Sequence, residues 1–398
     1  MPDYVGGNRL TLLTNGEEYF PALVAAIDAA SAEVFLETYI FADDETGSLV
    51  AAALARAASR GVATHLLIDG FGGQDFAPRF RDLLSQAKVE VLVFRPAVSP
   101  WPPWRQRSRL RRMHRKLASI DGAVAFVGGI NIIDDYDTPH QTPPRYDYAV
   151  RVEGPLAARV RAEAAKLWTR VSWATFGKRW RRWPGFAALT GRAPRHSLPA
   201  REAAPGAQRA ALLVRDNLRH RRDIEDAYLE LIDAAREEVV IASAYFFPGH
   251  RFRIALARAA RRGVNVTVLL QGKVEYRLLY YAARALYGPL LRDGVRIQEY
   301  HRSFLHAKVA VFDGRIASVG SSNIDPLSLL LAREANVFVD DAAFAAELRA
   351  SLHEAIENGS LAIPRRRRRL PFLLRARIWA SYRIARLLLA FYGYDRQH

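Results

Sequence analysis

The chain has 398 residues, room for one large domain or for two of about 150–200 residues each. Half of it is hydrophobic and a quarter charged, the balance of a folded protein, and the absence of cysteine excludes disulfides, cysteine-based zinc sites and thiol chemistry. The 58 Lys and Arg against 41 Asp and Glu give +17, which points to an anionic partner, nucleic acid or a membrane surface, without choosing between them.

Met1 to Leu10 has no apolar core of the kind a signal peptide needs, and no stretch reaches 18 consecutive apolar residues. The expectation is a cytoplasmic protein that meets a membrane only from its surface. Residues 32–41 (AEVFLETYIF) read as a strand ending in aromatics, Tyr39 among them. A helix follows, ending at Gly61, and after it a β-rich apolar run. Residues 101–116 (WPPWRQRSRLRRMHRK) hold seven Arg and Lys and no acid. Then comes HRKLASIDGAVAFVGGIN, from His114 to Asn131, in which KLASI and AVAFVG read as two strands joined by an Asp121-Gly122 hairpin turn. Residues 147–168 read as a strand and an amphipathic helix, with Trp168 at core spacing from Leu156, Val160 and Ala164. Residues 166–182 hold six further Arg and Lys, and 177–208, with Pro184, Pro194, Pro199 and Pro205, reads as a linker.

The second half repeats the first. Residues 255–272 match 53–70 at 11 of 18 positions, including the Arg-Gly-Val that ends the helix at Gly263. The strand 237–247, ending in Tyr245, Phe246 and Phe247, parallels 32–41, and 334–355 parallels 147–168. HAKVAVFDGRIASVGSSN, from His306 to Asn323, parallels the segment at His114. Alternating strands and helices in both halves predict two similar α/β sandwich domains, 1–176 and 209–363, around the linker 177–208, with a basic tail over 364–398.

Both copies of the hairpin segment place Lys two residues after His, Asp seven after, Gly fourteen after and Asn seventeen after. Side chains two apart on a strand share a face, so His114 with Lys116, and His306 with Lys308, project together. Asn131 and Asn323 follow the return strands and sit at the same end as the histidines. The aspartates Asp121 and Asp313 sit at the far turn, where Asp before Gly is what the turn requires; that favours a structural role, although both complete the motif. An imidazole beside an ammonium and an amide suits phosphoryl chemistry: Lys and Asn stabilise phosphate oxygens while His attacks or moves a proton. One copy supplies one histidine, and two copies supply a nucleophile and a separate acid. Asp147 and Glu334, at equivalent repeat positions, are candidates to orient the imidazoles. Of the other histidines, His250 and His301 lie near enough in sequence to the second motif to be pocket candidates.

The positive charge is concentrated. The segments 101–116, 166–182 and 364–398 carry +22 together, which leaves −5 on the other 330 residues. The seven tryptophans, Trp101, Trp104, Trp168, Trp173, Trp180, Trp183 and Trp379, lie in or beside these segments. Trp beside Arg fits a lipid headgroup layer, although aromatics paired with Arg also suit stacking on nucleic acid. After Arg365–Arg369 a helix is expected from Pro371, with Arg375, Arg383 and Arg386 within about 80° of one another and Leu, Ile, Phe, Trp and Ala elsewhere. That pattern fits an interfacial anchor; the other reading is a terminal helix packed on the body.

HxKxxxxD followed by a Gly-Gly/Ser-x-Asn loop, twice in one chain, resembles the phospholipase D superfamily over residues 30–355. ETYIFADDETG (37–47), DGFGG (69–73) and AYFFPG (244–249) are similar to its bacterial cardiolipin synthase branch, in the short form without N-terminal membrane helices. The resemblance implies phospholipase D-like domains in a pseudo-twofold arrangement. It implies phosphatidyl transfer between two phosphatidylglycerol molecules through a phosphatidyl-histidine, releasing glycerol, with no metal, nucleotide or other cofactor. The catalytic set so implied is His114, Lys116, Asp121, His306, Lys308 and Asp313. Lys116, Lys308, Asn131, Asn323 and Ser322 hold the phosphate, with Asp147, Glu334, Tyr39 and Tyr245 also at the substrate. Family analogy favours His114 as the nucleophile; the symmetry of the repeat does not decide. The arginine-rich run before His114 departs from the family pattern. The expected partners are phosphatidylglycerol and an anionic membrane surface, on the cytoplasmic face of the bacterial inner membrane, with no nucleic acid. Rival readings are a phospholipid hydrolase, a nuclease of the same chemistry, and a non-catalytic binding protein. Oligomeric state is left open.

Overall fold

The N-terminal half contributes β1 (Val5–Thr14), β2 (Glu33–Thr38), β3 (Ala63–Asp69), β4 (Glu90–Phe94), β5 (Arg112–Met113), β6 (Lys116–Ile120), β7 (Val124–Gly128), β8 (Arg145–Tyr146) and β9 (Tyr148–Glu153). The C-terminal half contributes β10 (Gln208–Arg215), β11 (Glu238–Ser243), β12 (Asn265–Gln271), β13 (Arg296–Tyr300), β14 (Phe304–Leu305), β15 (Lys308–Phe312), β16 (Ile316–Gly320), β17 (Ala332–Asp340) and β18 (Ser360–Ala362). The structure is a computed structural model and describes residues 2–74, 76–95, 112–138, 142–180, 206–216, 220–274, 276–325, 332–365 and 371–391, with side chains to residue 174 in the helix Pro155–Trp180 and to 387 in the helix Phe372–Phe391.

The sheet order carries the repeat. From β1 outward the strands run β1-β9-β7-β6-β2-β3-β4, and from β10 outward β10-β17-β16-β15-β11-β12-β13, the same path in equivalent elements. Antiparallel pairing of β1 with β10, Val5 opposite Ala210 and Asn8 opposite Gln208, joins the two paths into one sheet. The halves are therefore related by a pseudo-twofold at that seam, as the duplicated sequence implied. Each central hairpin turns at Asp-Gly with both residues in the left-handed region (φ 52° and 64° at Asp121-Gly122, 49° and 59° at Asp313-Gly314), the geometry that matches strand twist in a two-residue loop.

Three apolar clusters fill the layers. One face of the joined sheet is covered by the helices Pro155–Trp180 and Ala342–Gly359, whose Leu156, Val160, Trp168, Leu348 and Leu352 share one core with Leu10, Val150, Val309 and Val337. Trp168 is buried there against Phe35 and His65, as its spacing implied. The opposite face has a separate core in each half, under helices Asn15–Asp28, Glu45–Ser59 and Pro78–Gln86 in one and Asp223–Ala234, His250–Arg261 and Arg277–Arg292 in the other. The expected boundaries shift a little: helix Pro155–Trp180 continues into the presumed linker and β10 begins at Gln208, while 181–205 lie outside the described residues.

The C-terminal helix Phe372–Phe391 packs on the body, one of the two readings its sequence allowed. Ala385 and Tyr382 dock against Phe247, Ala282 and Leu286, so the helix packs on Arg277–Arg292. Its other side leaves Phe372, Leu373, Trp379 and Leu387 more than 60% exposed. Trp173 is exposed as well, whereas Trp101, Trp104 and Trp183 and the Trp180 side chain lie outside the described residues. Among the described residues no helix is long and apolar enough to cross a membrane.

Candidate active site

The short strands decide how the site is built. β5 pairs parallel with β17, Ala332 opposite Arg112 and Arg333 opposite Met113, and β14 pairs parallel with β8, Phe304 opposite Arg145 and Leu305 opposite Tyr146. The lead-in to each motif thus lies beside a strand of the other half. His114 N–H donates to Arg333 O at 2.9 Å, and His306 N–H to Tyr146 O at 2.9 Å. The next residue on each partner strand is an acid. His114 Nδ1 lies 3.0 and 3.2 Å from the Glu334 carboxylate oxygens, and His306 Nδ1 lies 2.6 Å from Asp147 Oδ2. Each imidazole is therefore oriented by a carboxylate from the other half.

Around these pairs the lysines come in at close range. Lys116 Nζ donates to His114 O at 2.7 Å and lies 5.4 Å from the centre of the Tyr39 ring, which packs edge-on to His114 at 5.0 Å. Lys308 Nζ lies 2.7 Å from His306 Nδ1 and 3.3 Å from Asp147 Oδ2, and donates to His306 O. Ser321 Oγ donates to Glu334 Oε2 at 2.5 Å, fixing that carboxylate from behind. The imidazole side chains keep 17% and 13% exposure, so each presents an edge outward.

Electrostatics hold both imidazoles neutral. Burial pushes His306 down to about 3, aided by Lys308 and opposed by Asp147. Burial also lowers His114, against the pull of Glu334. Lys116 is brought down to about 7 by burial, and Lys308 repels it while Glu334 opposes the shift. Burial raises the Asp147 carboxyl, but Lys308 and His306 outweigh it and hold the group below the usual carboxylate range. Lys308 bears on His114 and Lys116 on His306, so the two motifs share one field. A neutral imidazole whose Nδ1–H is held by a carboxylate has Nε2 free as nucleophile or base.

Asn131, Ser322 and Asn323 follow their return strands as expected and are buried. Asn131 Oδ1 accepts from Ile40 N at 3.2 Å, while Ser322 Oγ and Asn323 Oδ1 have no hydrogen-bond partner among the described residues. The motif aspartates are the correction to the expected set. Asp121 accepts from Ser31 N and Oγ, Ala32 N and Glu33 N, and Asp313 from Arg236 N, Glu237 N and Glu238 N. Each stands beyond a five-residue strand, roughly 17 Å of chain from its lysine, and clasps the start of a neighbouring strand; neither meets an imidazole. Tyr245 differs from Tyr39 too. Thr38 Oγ1 donates to Ile40 O and Ser243 Oγ to Tyr245 O, so Tyr245 occupies the position of Ile40, and its ring packs on Tyr276 in an aromatic pocket with Phe246, Phe247, Tyr280 and Tyr287. His250 is exposed at a helix start and His301 lies near Glu299; neither lines that pocket.

Sequence reasoning missed two buried groups. Asp69 ends β3 fully buried, accepting from Met113 N, Phe71 N and Gly72 N, and so anchors the lead-in to His114. Its repeat counterpart is Gln271, a difference visible once the halves are aligned. Arg115 makes a buried two-bond pair with Glu37 at 2.8 and 2.7 Å, for which the repeat, Ala307 and Ala242, gives no signal. No group of His, Asp and Glu among the described residues is arranged to hold a metal ion.

Residues 23–168 and 228–356 match the family described as cardiolipin synthase, PLD-like domain. The chain belongs to this family. Cardiolipin synthase B of Escherichia coli (strain K12) is 40% identical over 351 residues, 88% of this chain and 81% of that protein. Cardiolipin synthase of Geobacillus kaustophilus (strain HTA426) is 32% identical over 333 residues, 83% and 63% of the two chains. The crystal structure of phosphatidylserine synthase from Haemophilus influenzae Rd KW20 shares the fold, with a TM-score of 0.65 at 11% identity over 95% of this chain and 94% of that one. The family's two PLD-like halves are the two halves of the joined sheet.

Proposed function

We propose that this protein is a cardiolipin synthase of phospholipase D type, and that the crosswise pairs His114–Glu334 and His306–Asp147 carry the reaction. His114 Nε2 attacks the phosphorus of one phosphatidylglycerol. The bond from phosphorus to the headgroup glycerol oxygen breaks, and that oxygen takes the proton of the His306 imidazolium. The phosphatidyl group is then held on His114. His306 next removes the proton from a hydroxyl of a second phosphatidylglycerol, whose oxygen attacks phosphorus and displaces His114. Two phosphatidylglycerols become one cardiolipin and one glycerol.

The single observation that carries this reading is the exchange of carboxylates between halves, which orients two neutral imidazoles in one field. Lys116, Lys308, Asn131, Ser322 and Asn323 hold the phosphate oxygens; the buried Ser322 hydroxyl and Asn323 amide oxygen without protein partners support this. Burial first, and then the ammonium charges of Lys308 and Lys116, depress His306; a bound phosphodiester adds a compensating negative charge that favours the proton His306 must donate. The exposed side of helix Phe372–Phe391, where Arg383 stacks on Trp379 among Phe372, Leu373 and Leu387, supports peripheral attachment to an anionic membrane surface, on the cytoplasmic face of the bacterial inner membrane. The first domain runs through helix Pro155–Trp180 and the second from β10 at Gln208 to 363, with 364–398 as the membrane-surface tail.

Incubation of the purified protein with phosphatidylglycerol vesicles tests the assignment. Cardiolipin with free glycerol is expected. Phosphatidic acid without cardiolipin would replace it with hydrolysis.

A further inference from the structure

Behind the catalytic hairpin lies a second concentration of charge. Strand alternation sends His114 and Lys116 to one face of the sheet and Arg115 to the other. The same alternation on β17 aims Glu334 at His114 and Arg333 away from it. Arg115 and Arg333 meet at a rear pocket open to solvent, where Lys166 and Arg170 of helix Pro155–Trp180 also converge; Arg215 of β10, paired across the sheet with Glu334, faces the other side. The lining carboxylates are Glu163 and Asp216. Arg115 is engaged by Glu37 and Lys166 by Glu163, while Arg333 makes no side-chain hydrogen bond or ion pair among the described residues and lies 5.9 Å from the Phe94 ring centre. Burial, with Arg115, Arg170 and Arg95 near by, brings Arg333 down to about 10, with Asp216 opposing.

The fold does not require this charge. At the pseudo-equivalent place in the other half, Ala307 stands for Arg115 and Tyr146 for Arg333. There the hydroxyls of Tyr146 and Tyr148 close on Ser351 Oγ at 2.9 and 2.8 Å, a neutral cluster. One copy of a duplicated scaffold thus closes the position with hydroxyls, and the other opens it and gathers four fixed cations, Arg115, Arg333, Lys166 and Arg170. Half-buried positive charge in excess of its carboxylates is unfavourable unless an anion shares it, and guanidinium groups match phosphate oxygens in pairs.

We propose that this rear pocket is a phosphate-binding site, separate from the catalytic pair, in which Arg333 and Arg170 hold a phosphate group carried by a free anion or by a lipid headgroup. Its occupant fixes Arg115 and Arg333, the chain neighbours of His114 and Glu334, and so steadies that pair. Only this effect on turnover rests on the proposed activity; the binding does not.

Calorimetric titration of the full chain carrying His114→Ala, with inorganic phosphate and with short-chain phosphatidylglycerol below its micelle concentration, tests the site without turnover. Two binding events are expected: Arg333→Gln and Arg170→Ala each weaken one of them about tenfold, the loss of one charged hydrogen bond, while Lys308→Met weakens the other, at the catalytic pair. Arg170 is exposed on its helix, so Arg170→Ala keeps the test valid even where Arg333→Gln fails to fold. Arginine-dependent binding of inorganic phosphate supports a free anion, and of the short-chain lipid alone a headgroup. A single binding event that falls with Lys308→Met, or two events neither of which responds to the arginine variants, overturns the proposal.

Discussion

His114 and Glu334 are 220 residues apart in the chain, yet the imidazole Nδ1 sits 3.0 Å from the carboxylate. β5 and β17 bring them together by a two-residue parallel pairing, and β8 and β14 do the same for Asp147 and His306. Replacing either acid by its amide keeps the shape and removes the charge that selects the tautomer. Glu334→Gln and Asp147→Asn are each expected to lower kcat on the order of 10³–10⁴-fold while vesicle binding stays at the parental level. Near-parental turnover in either variant would dismiss the crosswise scheme.

The two histidines are distinguishable by what accumulates. His114→Ala and His306→Ala are both expected to abolish cardiolipin formation. With His114 as nucleophile, His306→Ala retains the group that forms the covalent intermediate. Phosphatidylglycerol labelled in its phosphate should therefore leave label on protein only in variants that keep His114. Label on His114→Ala would reverse the assignment.

Lys116 gives a pH signature in stability. Burial first, and Lys308, bring it down to about 7 from 10.5, so between those values the unfolded chain binds a proton the folded chain has released. Stability therefore gains from this group as pH rises through that window. Lys116→Met should remove the gain, so that the parental Tm climbs relative to the variant between pH 7 and 10. Parallel Tm profiles would contradict it.

Asp121 is expected to act on stability and not on chemistry. Burial raises its carboxyl, but hydrogen bonds from the backbone of Glu33, Ser31 and Ala32 outweigh this and hold it below the usual range. Its contribution is thus present above the ordinary aspartate value and fades as pH falls through the depressed one. Asp121→Ala should cost about 1–2 kcal/mol by denaturant unfolding, allowing for partial exposure. Turnover per folded molecule should stay within about threefold, the range of ordinary surface substitutions.

The exposed side of the last helix separates membrane attachment from folding. Trp379 and Leu387 point away from the seam at Ala385, so Trp379→Ala combined with Leu387→Glu should release the protein from anionic vesicles in a sedimentation assay without moving Tm. Unchanged sedimentation would exclude this surface as the attachment.

Much of the site was legible because the repeat is written in local spacing. The hairpin, the shared face of His and Lys, and the choice of Asp147 and Glu334 all follow from offsets within one segment or between its copies. Which acid meets which histidine was not legible, because it rests on pairings two residues long between segments about 160 and 220 residues apart, with no periodic signature. Tyr245 looked equivalent to Tyr39 because both end aromatic strands; hydrogen bonds from Thr38 and Ser243 show a one-residue offset. The motif aspartates suited both their roles in sequence, and only their distance from the imidazoles separates these. Arg115 was hidden because alternation points it away from its famous neighbours, into a face where the two halves no longer resemble each other.

The seam between β1 and β10 has a consequence for ancestry and engineering. A lone half carries an imidazole but not the acid that aims it, so separated halves should be inert and should recover activity only on reassociation. A single-copy forerunner could have worked only as a pair of identical chains. Fusing the copies released each from having to serve both positions, and the arginines on one rear face and tyrosines on the other record that freedom.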